Sequence, residues 1–586
     1  MYNNENREKT FEIYPSLKLP EVASTSGNTA IVEQLSEAIS KIDGGKKVVV
    51  FDYYHGVNEQ SILNEIVSKL NPTCLIDSAR AKYPEEVVQE KFGEYITDDR
   101  ICGVFYWGGI DKFFDKSEIS VLKEEIERAN GLVVIYGVGA SVICDNADLT
   151  VYCNLSLQTI KDRYRDGLDN WGAGNFDEEY LRKEKRFCYV ERIMQDKHKR
   201  SLLVDKADFV IDCNRDEDFV MVDRVNYDEI MNKCFTSPIK MVPIFWEGIW
   251  GGDWSAKVLG VGEGLKNTAW GITGHFDMQA VACTVGGNTF EFPANDLIEY
   301  DPKKVLGPQL WHLYGYRCPF HTNFLDTVGG GNLSLQVHPT MSYSQETFNS
   351  PWGHYESYYI LDGKEDAAVY LGTKDGVKLP DLVEAFESSQ ETGEFDDAKY
   401  INKFPAKKHD HFFIPGGTIH SAGVNTMTLE IDMFTFTTFK LWDWGRVDYD
   451  GKPRPINIGH GKHVIQEEFQ TTYVEDQLIC KHQEIERGYG WRKERTGTSP
   501  LEAPMEVNRY WMSKSVGFDT KDTIRLHVLA EGEQAIIESL DDSFEPMILN
   551  YAESIFIPAC IGQYMIKPYG KSKDKEIAVL EVYGKL

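Results

Sequence analysis

The chain has 586 residues, of which 42% are hydrophobic and 26% charged, and its formal net charge is −30. This is the composition of a folded multidomain protein, and it excludes a disordered, collagen-like or disulfide-scaffold chain. A field of that sign repels nucleic acid and anionic lipid, so neither is an expected partner, although a local basic cluster can still accept a small anion. The eleven cysteines are scattered without a CxxC pair and read as reduced thiols. The first residues carry no apolar leader, and no apolar run reaches the ~18 residues of a membrane span, so the expected location is cytoplasmic.

In chain order, residues 1–235 alternate β-type runs with helical stretches. KKVVVFDYY, GLVVIYGVGAS, ADLTVYCNLS and ADFVIDCN read as strands, and SEISVLKEEIERAN reads as a helix between two of them. Alternation of this kind predicts an α/β domain with a parallel sheet. From about Pro243 the texture changes to short β runs punctuated by Gly and Pro, such as NLSLQVHP, SYYILDG, DAAVYLG, HFFIPGGTIH and TMTLEIDMF. These predict a β-sandwich or barrel over residues 236–470, with DLVEAFESSQETGEFDDAKYINKF as a helical insertion. Residues 471–586 give a further all-β pattern, in which SIFIPACIGQYMI echoes HFFIPGGTIHSAG.

One constellation in the central region carries chemistry. Residues two apart on a strand share a face, so Gln336 and His338 in LSLQVHP point the same way. Glu356 lies on the next predicted strand, and His420 follows the turn in PGGTIH. Singly, each is more often a hydrogen-bonded or solvated residue. Together, two imidazoles, a carboxylate and an amide oxygen from three strands can surround one divalent ion, and imidazole with carboxylate suits zinc.

The run LSLQVHP, then a Glu before a YYIL strand, then FIPGGTIHSAG, TLEI and LWDWGRVD resembles the type I phosphomannose isomerases of the cupin superfamily, over residues 243 to 586. The upstream IWGGDW and FLDT follow the same order. The resemblance implies paired cupin barrels and one Zn2+ per chain on Gln336, His338, Glu356 and His420; in the second barrel's SIFIPACIGQYMI no histidine accompanies Gln563, so no metal is expected there. It puts the family's catalytic arginine on Arg446 and its L-E-I glutamate on Glu430. It implies an aldose–ketose isomerase that interconverts mannose 6-phosphate and fructose 6-phosphate through an enediol, with a sugar phosphate as its small-molecule partner.

The departures fall in the pocket. His354 stands where the family usually carries Lys, and by strand period it shares a face with Glu356. Asn323 replaces another frequent Lys, and Thr435 and Phe436 replace a Ser-Asp pair. His354 and Glu430 are the candidate bases for the C–H proton. Lys440 and Arg446, with Lys452 and Arg454, form the local basic cluster expected at the phosphate. Gln563 stands near the place of the metal histidine in the second barrel. The changed pocket also supports an alternative, a cupin that binds a sugar or sugar phosphate without turning it over.

In the first domain, VVVFDYYHGVNEQSILNEI has the strand–loop–helix order of a P-loop but lacks G-x-x-x-x-G-K-[ST]; only Gly56 survives, and Asn58, Glu59 and Gln60 fall about where Gly, Lys and Ser belong. With ADLTVYCNLSLQTIKDRYRDG, whose Arg163 and Arg165 sit in lid-like places, residues 30 to 235 resemble a degenerate uridine-kinase-type P-loop domain. A Glu at that place repels phosphate, so phosphoryl transfer is not expected. GVGAS at 137–141 reads as a bend after a strand rather than a nucleotide site.

Overall fold

The computed structural model describes residues 7–433, 437–497 and 505–585. Thr435 and Phe436 therefore lie outside the described residues. The chain divides into two compact units, one of residues 16–234 and 280–300, the other of residues 1–15, 235–279 and 301–586.

The first unit is built on a seven-stranded sheet. Its parallel core consists, in chain order, of Lys46–Tyr53, Cys74–Asp77, Gly131–Val138, Leu149–Asn154 and Phe209–Asp212, arranged across the sheet as second, third, first, fourth, fifth. Val49, Val50, Phe51, Val133, Val134 and Ile135 are all fully buried, which is why these runs read as unbroken apolar stretches: helices cover both faces of a parallel sheet. SEISVLKEEIER forms the helix Lys116–Arg128, capped by the Asp115 carboxylate on Ser117 N–H and burying Leu122 and Ile126.

The segment 280–300 corrects the expected 235/236 boundary, which assigned it to the barrel region. Its strands Ala280–Val285 and Asn288–Pro293 form a hairpin, and Ser16–Leu19 pairs in parallel with the first of them. Buried Asp296 then takes an ion pair from Lys199 at 2.5 Å and a hydrogen bond from Asn154 at 2.7 Å. Period-two alternation announces a strand but not the sheet it joins.

The second unit holds both β-rich domains. In the first, a six-stranded sheet runs His411–Pro415, Tyr355–Gly363, Thr426–Met433, Phe320–Asp326, Trp270–Gly274, Ile244–Trp246. The facing five-stranded sheet runs Ile401–Pro405, Ala368–Thr373, His420–Ala422, Leu335–Val337, Phe439–Trp442. Leu325, Tyr358 and Ile360 of one sheet share an apolar cluster with Val369, Leu371 and Ala422 of the other, as in a jelly roll whose alternate residues point inward. The helical insertion appears as Leu379–Thr392, but its last part, Ile401–Pro405, is an edge strand paired with Ala368–Thr373.

The other β domain has sheets of six and four strands between Gln483 and Gly584. Its interior is the apolar cluster of Met512, Leu529, Ile537, Ile555, Ile566 and Val579. It packs on the first barrel, where Arg509 donates to the Tyr359 hydroxyl at 3.1 Å and Tyr551 to the Leu361 carbonyl at 3.3 Å. Among the described residues, no helix is long and apolar enough to cross a membrane. None of the eleven cysteines forms a disulfide.

Candidate functional site

Within the first barrel, buried polar residues from facing sheets come together beside the apolar cluster. Gln336 is the register partner of both His420 and Lys440, so these three side chains leave one face of the five-stranded sheet. Glu356, two residues before Tyr358, points inward from the opposite sheet. His338, Glu356 and His420 meet: their ligating atoms lie within 4.8 Å of one another, and all three residues are buried. The Gln336 amide is 3.2 Å from His420 Nε2.

The hydrogen bonds around the imidazoles decide what this group can hold. His338 Nδ1 lies 3.0 Å from the Thr437 carbonyl and His420 Nδ1 lies 2.8 Å from the Thr418 carbonyl. A carbonyl only accepts, so both Nδ1 atoms carry hydrogen, and in the neutral ring each Nε2 is a lone pair. Both Nε2 atoms are aimed at Glu356 Oε2, each at 2.8 Å. Lone pairs converging on a carboxylate oxygen repel unless a cation or protons intervene, and backbone carbonyls behind metal-bound imidazoles are the usual means of fixing the tautomer. Burial alone would raise Glu356 and lower His338; the attraction of His420 and His338 outweighs it at Glu356 and holds the carboxyl well below its usual range, and the pull of Glu356 holds the His338 imidazole above its own. The donor set therefore fits a divalent metal ion, with His338, Glu356, His420 and the Gln336 oxygen as its holders.

His354 is buried and stacks on His338, ring centroids 3.8 Å apart and planes 21° apart. Glu430 stands in register between Asn323 and Tyr358. Two residues on, Asp432 faces the same interior, and Glu356, Glu430 and Asp432 bring ligating atoms within 4.8 Å of one another. Burial, then the neighbouring carboxylates, pushes both Glu430 and Asp432 well above the usual range. Asp432 was not anticipated; the alternation in TLEIDM places it on the face of Glu430 and was the signal available. His321, 3.4 Å from Asp432 and stacked on His275 at 3.9 Å, was also missed; burial holds it down to about 4.

Arg446 is held by its own neighbours. Its guanidinium donates to Asp443 Oδ1 at 2.6 Å and to the Asn332 carbonyl at 2.6 Å. Arg454 grips the same carboxylate through two bonds, at 2.7 and 2.6 Å. Burial alone would raise Asp443, but the Arg454 and Arg446 forks hold it below its usual range. Two cations of the expected basic cluster are thus organised on a buried acid, and Lys452 is exposed. In the second barrel Gln563 is exposed and donates to Asp519 at 3.4 Å, so it faces solvent rather than the interior.

In the α/β unit, the loop after Lys46–Tyr53 is occupied by the chain's own groups. Arg163 donates to the Gly56 carbonyl and pairs with Asp216, and His55 N–H donates to Gln195 at 2.7 Å. The following helix, Glu59–Glu65, is capped by Asn58 and opens on Glu59. In the GVGAS turn the Gly139 and Ser141 N–H groups donate to the Asp52 carboxylate at 3.1 and 2.8 Å.

Comparison with known proteins bears on both units. The family described as Domain of unknown function (DUF8485) matches residues 27–236. The mannose-6-phosphate isomerase ManA of Bacillus subtilis is 27% identical over 342 residues, covering 58% of this chain and 96% of that protein. A mannose-6-phosphate isomerase of Streptococcus mutans is 28% identical over 221 residues, covering 37% of this chain and 64% of that one. Among solved structures, the Bacillus subtilis mannose 6-phosphate isomerase aligns with a TM-score of 0.48 at 20% identity, covering 59% of this chain and 99% of its own. The chain is thus homologous to mannose-6-phosphate isomerases over more than half its length, and this homology supports a sugar-phosphate isomerase-like function.

Proposed function

We propose that the chain is a zinc-dependent aldose–ketose isomerase interconverting mannose 6-phosphate and fructose 6-phosphate. The observation that carries this reading is the pair of Nδ1-anchored imidazoles whose Nε2 atoms converge at 2.8 Å on one carboxylate oxygen. The 27% identity to an isomerase along 96% of its length supports the reaction class. The ion held by Gln336, His338, Glu356 and His420 would supply positive charge to the oxyanion of an enediolate. The chain's own part is the proton at C1 and C2, for which His354 and Glu430 are the carriers, both buried beside the donor set. Lys440, opposite Gln336, is positioned for an anionic substrate, and Arg446, fixed by Asp443, presents its charge from a set orientation.

The α/β unit belongs to the same proposal as a degenerate P-loop-kinase-like module without phosphoryl transfer. Support comes from the loop filled by Arg163 and from the acidic start of the helix at Glu59, where phosphate would need a positive N-terminus. Cysteines outside disulfides accord with a cytoplasmic location.

The test is turnover of mannose 6-phosphate by zinc-reconstituted protein beside His338→Ala. Activity lost in the variant supports the isomerase. Saturable binding of the sugar phosphate with no turnover by folded, metal-loaded protein would replace it with the binding reading, which the clamped Arg446 and the altered His354 and Asn323 positions favour.

A further inference from the structure

The second barrel carries a polar row on its inner face. Arg495, Asn508, Glu581 and His527 stand in register across four neighbouring strands, Trp491–Gly497, Met505–Met512, Ile577–Gly584 and Arg525–Glu531. Two residues along these strands, Tyr510, Val579 and Leu529 belong to the apolar interior, so the row faces the same way. His527 is satisfied: its Nδ1 lies 3.2 Å from the Leu580 carbonyl and its Nε2 2.6 Å from the Tyr564 hydroxyl.

The cations beside this row are not satisfied. Arg525, 5% exposed, lies over the Tyr583 ring, 4.3 Å from its centroid, and its Nε stands 4.0 Å from Glu581. Lys493 stands 3.9 Å from the same carboxylate, and Arg495 stands 3.6 Å from Glu506. All three distances exceed a hydrogen bond. The two acids take their hydrogen bonds from neutral donors instead, Glu506 from the Tyr583 hydroxyl at 2.9 Å and Glu581 from the Tyr510 hydroxyl at 3.3 Å. Three cations thus attend two carboxylates without bonding to either.

Orphaned atoms mark the same place. The Nε atoms of Arg525 and Arg495 are buried and have no hydrogen-bond partner, and Asn508 Oδ1 is in the same condition. The Asn508 nitrogen faces Glu506, which only accepts, so the amide oxygen is turned away from it. Arg509, the next residue along, shows how a guanidinium that serves the fold is held: it donates to Glu494 at 2.9 and 2.6 Å and to the Tyr359 hydroxyl at 3.1 Å. A buried guanidinium whose N–H groups lack acceptors costs free energy, and an oxyanion matches its fork. A water molecule would take one donor and leave the surplus charge. Asn508 Oδ1 asks in addition for a donor, which a hydroxyl supplies.

We propose that this part of the second barrel binds a small carboxylate or phosphate anion that also carries a hydroxyl group. The acid oxygens take the fork of Arg525, with Arg495 and Lys493 beside it, and the hydroxyl donates to Asn508 Oδ1. Lys493 and Arg495 are partly exposed and form the entrance. Three strand spacings of about 4.8 Å separate Arg495 from the strand of Arg525, which bounds the ligand to a small molecule. The inference draws nothing from the donor set of the first barrel.

The test is calorimetric titration of the full chain with inorganic phosphate, D-glycerate and glycerol 3-phosphate. Saturable binding of D-glycerate or glycerol 3-phosphate, tighter than that of inorganic phosphate, is expected, and the preferred probe identifies the acid group. Arg525→Met should weaken that binding by about 10–100-fold, the loss of hydrogen bonds to a charged group. Should that variant fail to fold, Lys493→Gln combined with Arg495→Gln at the partly exposed entrance carries the test, with a loss of about tenfold. His338→Ala and Lys440→Gln, in the first barrel, should leave the titration unchanged. Binding lost in those two variants and kept in the second-barrel ones would place the anion in the first barrel and overturn the proposal. So would the absence of saturable binding of all three probes at millimolar concentration. Inorganic phosphate binding as tightly as glycerol 3-phosphate would overturn the contact to Asn508.

Discussion

His338 and His354 lie face to face, their ring centroids 3.8 Å apart, so a metal-type donor and a candidate proton carrier share one wall of the barrel. His338 is oriented by its bond to the Thr437 carbonyl, which leaves His354 to act on substrate while braced against a fixed ring. His354→Ala should keep its metal and lose about 10²–10⁴ in kcat, the range for removing a general acid–base group. His354→Lys, which keeps a titratable amine there, should recover part of the loss. Metal content and kcat measured on the same preparations separate the two roles: a drop in bound metal would make His354 a support for His338 instead.

Removing the ion should abolish isomerisation and lower stability together. An ion bound to the folded state alone stabilises it by mass action, about 2.7 kcal/mol when free metal is 100 times Kd. Chelator treatment should therefore lower the unfolding midpoint of the native chain, and added zinc should restore it. Glu356→Gln should abolish that metal-dependent shift, because it removes the carboxylate on which both imidazoles converge.

The Arg446–Asp443–Arg454 clamp predicts a pH dependence. A carboxylate held below its unfolded value stabilises the fold above about pH 4, and that contribution is lost as pH falls through the depressed folded value. Asp443→Asn should cost about 2 kcal/mol, below the usual figure for breaking a buried ion pair because both arginines are partly exposed. It should also raise KM more than it lowers kcat, since it frees the guanidinium of Arg446. Urea midpoints at pH 7 and pH 3 check the first claim: the difference between variant and parent should shrink at the lower pH.

Lys199 and Asp296 tie the segment 280–300 into the α/β unit. Lys199→Met leaves Asp296 buried without its cation and should destabilise that unit by about 3–5 kcal/mol. Amide exchange across 280–300 should accelerate in the variant more than exchange in the strands of the second barrel.

Mg–ATP at millimolar concentration should leave the unfolding midpoint unchanged. The loop that would cradle phosphate carries Glu59 at its helix start, and Arg163 is engaged by Gly56 and Asp216. A nucleotide-dependent rise of several degrees would show a working site in this unit.

The sequence by itself determined the local layer. Apolar runs marked the parallel strands because both faces of that sheet are buried. The spacing of Gln336 and His338 put them on one face because a strand has period two. The four candidate donors were legible for that reason, together with the motif order. The same period held the signal for Asp432, two residues beyond Glu430, although the sequence reading left that residue unassigned.

Tertiary structure alone decided what those side chains face. The hairpin of 280–293 and the helix Asn295–Tyr300 after it take their allegiance from Ser16–Leu19 and Lys199, partners far along the chain. Arg446 reads as part of a basic cluster in DWGR, but a turn brings it back on Asp443, and Arg454 arrives from eleven residues on. The carboxylate trio exists because Glu356 and Glu430 lie on neighbouring strands whose pairing register no local pattern encodes. Hydrophobic and polar periodicity fixes which way a residue points along its own strand, whereas its neighbours across the barrel are set by long-range pairing and by the burial of charge that the pairing imposes.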